Sequence, residues 1–143
     1  MGEQENKELV QRFNEEVFNQ HNKAAMDELI ADDAVEHDPL PGLSNDKAGA
    51  VATIEQILAA FPDMKAEVHQ LVASGDQVAV RTTFRGTHEG EFMGVPPTGK
   101  SVEVGSIDIV RVKDGKFVEH WGIFDAAGMM MQLGVIQPPG GAG

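Results

Sequence analysis

An acid near the C-terminus, Asp125, has the sequence setting that best suits acid/base chemistry. The pair Asp114-Gly115 is typical of a type I′ hairpin turn, because both residues tolerate positive φ, so a strand is expected to begin near Lys116. Side chains alternate along a strand, and one face is predicted to carry Phe117, Glu119, Trp121, Ile123 and Asp125. A carboxylate at the end of this largely apolar row loses hydration, which disfavours its charged form and suits it to act as a general acid or base.

Asp125 also has a second interpretation. It immediately precedes AAGMMMQL, and an Asp in that place is typical of a helix N-cap. Hydrogen bonds from the helix would stabilise the carboxylate and lower its pKa, which opposes a role as an acid. The sequence leaves both interpretations open, and they are compatible with each other.

Asp108, within GSIDIVRV, is the second acid of interest, because Ile107 and Ile109 flank it on the opposite face of a predicted strand. It is either a site residue or a solvated side chain paired with an Arg or Lys of a neighbouring strand.

Two sequence features could indicate a metal site or a nucleotide-binding site, but neither is supported in detail. The chain has five histidines, but no two have the i, i+2 or i, i+4 spacing that gathers metal ligands on one element, so no metal site is predicted. GVPPTGKS matches a phosphate-binding loop letter for letter, yet Pro96 and Pro97 lack the N–H groups that bind phosphates, and an alternating strand pattern follows instead of a helix. The segment is therefore predicted to be a strand-connecting loop.

Composition limits the classes of protein that the chain can belong to. With 143 residues, 41% of them hydrophobic, it is expected to form one domain over residues 1–136, followed by a flexible tail over 137–143. The absence of Cys excludes disulfides and thiolate nucleophiles. A formal charge of −12 disfavours nucleic acid and anionic membranes as partners. Because no apolar stretch resembles a signal peptide or a membrane span, a cytoplasmic location is expected.

The periodicity of the sequence changes near Pro62. Helical spacing of apolar residues predicts helices over 3–19, 23–30 and 46–61, with at most a short strand over 35–37. Alternation then predicts strands over 64–74, 78–86, 101–112 and 116–124, with a long loop between the second and third of these. Helices followed by strands predict an α+β fold in which the helices cover one face of an antiparallel sheet.

Three segments carry a resemblance to a known family: EHDPLPG, FRGTHEGEFMGVPPTGK and RVKDGKFVEHWGIFDAAGMMMQLGV. They resemble the SnoaL-like polyketide cyclases of the nuclear-transport-factor-2-like (NTF2-like) superfamily, and the likeness extends over nearly the whole chain. The resemblance implies a cone-shaped α+β barrel whose curved sheet encloses a deep apolar pocket, often in a homodimer packed through the sheets. It also implies aldol ring closure of a small apolar or aromatic carbonyl substrate without any cofactor, with Asp125 as the acid/base.

The chain departs from that family on the strand next to Asp125. A His or Gln is frequent there as a polar partner, and this chain has Ser106 and Asp108 instead. His37 and His88 are therefore candidate replacements. The residues predicted to shape or close the pocket are Trp121, Phe124, Phe92 and Met129, although core packing is the alternative for Trp121 and Met129.

Two other functions remain open at this point. An isomerase or epoxide hydrolase could use Asp108 and Asp125 as a pair that shares a proton, which would raise one of the two pKa values. A non-catalytic module that binds a small apolar ligand is the other alternative, because a fold does not fix a function.

Overall fold

The computed structural model, which describes residues 2–137, has the predicted α+β architecture. In chain order its elements are α1 (Glu3–Phe13), a π-helix (Asn14–Asn19), α2 (Lys23–Leu29), β1 (Ile30–Glu36), α3 (Lys47–Ala60), β2 (Lys65–Ser74), β3 (Gln77–Thr87), β4 (Ser101–Lys113), β5 (Lys116–Phe124) and α4 (Ala126–Gln132). The predicted fold class and the strand-rich second half of the chain are confirmed.

The helices begin where the sequence places capping residues. Asn22 and Asp46 precede α2 and α3, and each side chain accepts a hydrogen bond from a backbone N–H of the first helical turn. The predicted opening helix over 3–19 is one contiguous helical segment, but its winding changes from α to π at Asn14.

The strands form one mixed sheet in the order β1-β5-β4-β3-β2. Strands β2 to β5 are antiparallel neighbours, as predicted, whereas β1 runs parallel to β5. The prediction of at most a short strand over 35–37 was wrong, because β1 extends from Ile30 to Glu36. Asp32 and Asp33 disguise the strand pattern, and β1 tolerates them because it is an edge strand that leaves both exposed.

The connections agree with the turn residues in the sequence. Asp114 and Gly115 have φ values of 52° and 73°, the geometry of the predicted type I′ turn. All of GVPPTGKS except its last residue lies in the connection between β3 and β4, and that residue, Ser101, begins a strand rather than a helix. Its interpretation as a strand-connecting loop is therefore confirmed.

A β-bulge in β5 determines which of its side chains face the helices. Val112 pairs with Phe117, but the next pair is Arg111 with Glu119, so Val118 is an extra residue in β5. Beyond the bulge, the residues opposite the inward side chains of β4 are His120, Gly122 and Phe124. The outward face carries Trp121, Ile123 and Asp125. The predicted grouping of Trp121 with Asp125 is confirmed, but Phe117 was wrongly grouped with them because the bulge reverses the alternation.

The core lies between the helices and the inner face of the sheet. The buried residues that meet there include Val17, Met26, Phe61, Val78 and Val104. The outer face of β4 and β5 instead leaves large apolar side chains exposed to solvent: Ile107, Ile109 and Ile123.

The predicted flexible tail over 137–143 lies outside the described residues except for Gln137. Within residues 2–137, no helix has both the length and the apolar character that crossing a membrane requires.

The position of the core predicts that two methionines contribute very differently to the free energy of unfolding. Met26 is 1% exposed, so Met26→Ala should lower the free energy of unfolding by about 2–5 kcal/mol through lost burial and the cavity left behind. Met93 is 44% exposed, and Met93→Ala should change it by no more than about 0.5 kcal/mol. Urea denaturation of both variants measures this difference, and equal losses would contradict the described core.

Candidate active site

A cavity of about 210 Å³ lies between the helices and the inner face of the sheet. Its wall is mainly apolar and has a strong aromatic component. Phe13 packs edge-to-face on Phe117 with ring centres 5.3 Å apart, and Phe18 packs on Phe84 at 5.0 Å in the same manner. An apolar environment of this kind strengthens any electrostatic interaction inside it.

A charged cluster lies in the cavity wall where β1, β5 and β4 run side by side. The His120 ring bonds to Glu36 on one side, with Nδ1 and Oε2 2.5 Å apart, and to Asp108 on the other, with Nε2 and Oδ1 2.9 Å apart. Ser106 donates its hydroxyl proton to the second oxygen of Asp108 at 2.7 Å. Strand register produces this arrangement, because Glu36 is the parallel partner of His120, and Asp108 lies inward on β4.

The two carboxylates keep His120 protonated. Burial, the largest single influence, lowers the pKa of His120, but hydrogen bonds and charge from Asp108 and Glu36 together outweigh it and raise the pKa to about 10. The ring is therefore an imidazolium at neutral pH, and both of its N–H groups donate to carboxylates. The two carboxylates bind opposite nitrogens of the ring, so the three side chains do not point toward a common position where a metal ion could bind. Residues 2–137 contain no group of three or more side chains suited to holding a metal ion.

Gly122 leaves room for this cluster. A Cβ atom at Gly122 would collide with a carboxylate oxygen of Asp108 and crowd the His120 ring. The backbone N–H of Gly122 also donates to the carboxylate of Asp38, which lines the cavity, at 2.9 Å. The strand therefore needs the smallest residue at the point where two carboxylates approach it.

Of the two predicted acids, the structure brings only Asp108 to the cavity. Asp125 is exposed, lies on the outward face of β5 and caps α4 by accepting a hydrogen bond from the N–H of Gly128 at 2.8 Å. The cap interpretation is confirmed. The expectation that Asp125 faces the pocket is corrected, because the bulge in β5 turns it away. The predicted pairing of Asp108 with Asp125 does not form, and Asp108 pairs with a histidine rather than with an Arg or Lys.

The candidate histidines lie outside the cavity. His37 stacks on Trp121 with ring centres 4.7 Å apart, and its Nε2 lies 2.8 Å from Glu119. The hydrogen bond from His37, followed by that from Arg111, lowers the pKa of Glu119 below its ordinary value of 4.5. The prediction that His37 and Trp121 belong to the pocket is corrected, because both belong to this stacked pair.

His88 is fully buried but lies behind the cavity wall. Its Nδ1 accepts a hydrogen bond from the N–H of Thr98 at 3.2 Å, and its ring is 5.5 Å from that of Phe61. The expectation that His88 lies in the pocket as a catalytic partner is corrected, because its ring does not line the cavity and instead forms a hydrogen bond with the loop between β3 and β4. Three of the predicted pocket residues do line the cavity: Phe92, Phe124 and Met129.

The sequence-based reasoning missed Glu36 and His120 as site residues. For His120 the available signal was its alternation with Trp121, which placed the two on opposite faces. For Glu36 no local signal was available. Its role depends on the pairing of β1 with β5, which brings Glu36 next to His120 although the two are 84 residues apart in the sequence.

The comparisons with known proteins assign this fold and cavity to a family. The family model of the SnoaL-like polyketide cyclases matches residues 8–133. The aklanonic acid methyl ester cyclase DnrD of Streptomyces peucetius is 29% identical over 107 residues, which is 75% of this chain and 72% of DnrD. The chain therefore belongs to the SnoaL-like polyketide cyclase family.

Solved structures show the same fold. IdmH from Streptomyces antibioticus is 42% identical with a TM-score of 0.78, over 91% of this chain and 99% of IdmH. TsrD from Streptomyces laurentii is 26% identical with a TM-score of 0.85, over 95% of this chain and 99% of TsrD. The predicted membership of the SnoaL-like family and its NTF2-like fold are confirmed.

The raised pKa of His120 predicts a pH dependence. Between the ordinary value of 6.5 and about 10, the folded protein binds a proton at this ring that the unfolded chain releases, so stability falls as pH rises through that range. The contribution is fully present below pH 6.5. Nitrogen-detected NMR should find the His120 ring doubly protonated at pH 8, and His120→Gln should flatten the loss of thermal stability between pH 7 and 10. A titration of His120 near pH 6.5 would contradict the described cluster.

Proposed function

We propose that this protein is a cofactor-independent polyketide cyclase that closes a ring by intramolecular aldol chemistry. The observation that carries the proposal is the Asp108–His120–Glu36 cluster in the wall of an apolar cavity. Membership of a family of polyketide cyclases supports the reaction class. The substrate is a small, neutral, apolar or aromatic molecule that carries several carbonyl groups.

In this proposal Asp108 is the base and His120 is not. An imidazolium with both N–H groups donated has no lone pair to accept a proton, whereas the Asp108 carboxylate lines the cavity. Asp108 removes a proton from a carbon flanked by two carbonyl groups, so that a C–H bond breaks, an O–H bond forms on Asp108, and an enolate remains. The positive charge of His120, held in place by Glu36, stabilises the enolate electrostatically.

Ring closure then returns Asp108 to its starting ionised form. The enolate carbon attacks a carbonyl carbon of the same molecule, a C–C bond forms, and the new alkoxide takes the proton back from Asp108. Atoms and charge balance over the cycle. The apolar wall serves the reaction by keeping water away from the enolate.

The isomerase or hydrolase that pairs Asp108 with Asp125 has less support, because the two carboxylates lie on opposite faces of the sheet. Proton transfer by Asp108 alone would also serve an isomerase. That reaction would show itself as a product with no new C–C bond.

The role of Asp108 predicts a selective loss of proton transfer. Wild type should catalyse deuterium exchange at the activated carbons of β-keto esters or polycyclic aromatic ketones, followed by proton NMR. Asp108→Asn should slow the exchange by about 100-fold or more, because it removes the general base. Asp125→Asn is the matched control and should exchange at nearly the wild-type rate, since Asn can also cap a helix.

Thermal unfolding of both variants must accompany this comparison, so that a folding defect is not mistaken for a lost base. Slow exchange in Asp125→Asn with normal exchange in Asp108→Asn would reverse the assignment and restore Asp125 as the acid/base. A lack of exchange in wild type and both variants would favour the ligand-binding module.

We also propose that the protein is a homodimer that packs through the outer face of its sheet. Ile107 pairs with Ile123 across β4 and β5, and the two side chains are 56% and 76% exposed. Ile109 next to them is 39% exposed and pairs with Trp121. A contiguous apolar patch of this kind is typical of an association surface, and family resemblance implies the same packing.

The dimer predicts that one charge on this patch dissociates the protein. Ile123→Lys should yield monomers in sedimentation velocity, because it places a charge at the centre of the buried surface. Met93→Lys, in the connection between β3 and β4 and 44% exposed, is the control and should remain dimeric. Monomeric wild type throughout the micromolar range would exclude the dimer.

A further inference from the structure

Asn14 places a polar amide in the aromatic part of the cavity wall. The residue is 8% exposed and lines the cavity, and its Nδ2 is enclosed without a hydrogen-bond partner among residues 2–137. Its neighbours on the helix, Phe13 and Phe18, line the same wall. A buried amide that makes no hydrogen bond destabilises a folded protein, and such groups are rare enough to need a reason.

The other polar side chains of the wall have partners within the protein. The hydroxyl of Thr53 accepts a hydrogen bond from the N–H of Leu40, and Asp38 accepts one from Gly122. The remaining polar lining residues are joined in hydrogen bonds to each other or to a neighbouring side chain: Glu36, Ser106, Asp108, Glu119 and His120. Among the polar residues of this wall, Asn14 is thus the one with an enclosed nitrogen for which residues 2–137 provide no hydrogen-bond partner.

The backbone at Asn14 is unusual as well. The residue begins the π-helix Asn14–Asn19, directly after α1 ends. A π-helix is costlier than an α-helix and occurs frequently at functional sites, because the wider turn reorients the side chains on it. The change of winding at Asn14 is thus a second observation at the same place.

We propose that Asn14 determines substrate specificity by forming a hydrogen bond with an oxygen atom of the ligand in the cavity. A half-turn of the amide about its last side-chain bond exchanges nitrogen and oxygen, so the N–H₂ group can face a carbonyl oxygen. Asn14 belongs to the helical layer and the charged cluster to the sheet, so the oxygen recognised by Asn14 is a different one from those at the reacting carbon. This inference rests on the proposed function, because the ligand is the carbonyl-rich substrate of that reaction.

The test compares two rigid probes that differ by one oxygen, fluorene and 9-fluorenone. The quantity measured is the ratio of their dissociation constants, obtained by calorimetry for each protein. Asn14→Leu should reduce the preference for the ketone about five- to tenfold relative to wild type, which is the effect of losing one hydrogen bond in a dry site.

Asn6→Leu is the matched control. Asn6 is on α1, is 3% exposed and has an enclosed Oδ1 without a partner among residues 2–137, but it lies outside the cavity. The same substitution there should leave the ketone preference unchanged. Asn14→Leu should also unfold at a temperature no lower than wild type, because it removes an unpaired buried amide. If the amide had a structural role, its removal would lower the unfolding temperature.

Three results would overturn the proposal: an unchanged ratio in Asn14→Leu, a lower unfolding temperature of that variant, or no binding of either probe to wild type. These outcomes are separate from the exchange experiment. If Asn14→Leu loses the ketone preference but wild type shows no deuterium exchange, the proposed reaction is rejected and the binding role of Asn14 is retained. If wild type shows exchange but Asn14→Leu keeps the ketone preference, the binding role is rejected and the reaction is retained.

Discussion

The extra residue at Val118 sets the inner face of β5, and the cavity, the charged cluster and the outer apolar surface all depend on it. A strand alternates with a period of two, so one inserted residue exchanges the two faces for everything that follows. In this chain the insertion turns His120 and Gly122 toward the helices, and it turns Trp121 and Ile123 outward. A regular hairpin would instead have directed Asp125 inward and left the two carboxylates of the cluster without an imidazolium between them.

The cluster also explains why β1 must pair with β5. A buried carboxylate is tolerated when an opposite charge and hydrogen bonds compensate for its lost hydration. Glu36, 4% exposed, and Asp108 satisfy this condition through one ring, so His120 ties together strands that are far apart in sequence. Two carboxylates and one imidazolium leave a net charge of −1 beside an apolar cavity. That charge disfavours an anionic ligand, as does the charge of −12 on the whole chain.

Much of this fold follows from the sequence, because its signals are local. The type I′ turn, the caps at Asn22 and Asp46 and the four antiparallel strands all rest on residues close to each other in the chain. The site was harder to predict because it depends on two non-local facts. A bulge has no reliable sequence signature, and the parallel pairing of an edge strand that contains Asp32 and Asp33 cannot be recognised from alternation. Asp108 was found because Ile107 and Ile109 fix its face locally. Asp125 was misplaced because the extra residue Val118, earlier on the same strand, determined its direction.

The raised pKa of His120 bears on which residue of the cluster acts as the base in the proposed reaction. A histidine that served as the base would need a pKa near the operating pH, whereas this ring holds its proton up to a pH of about 10. In the proposed reaction its positive charge would instead stabilise negative charge that forms next to Asp108, before and after proton transfer. Because Glu36 and Asp108 hold the ring from both sides, this charge does not have to reorient during the reaction, and such preorganisation is the main source of electrostatic catalysis. In the proposed reaction the proton moves only between Asp108 and the substrate, so that reaction would require a dry cavity and one carboxylate with a fixed cation beside it.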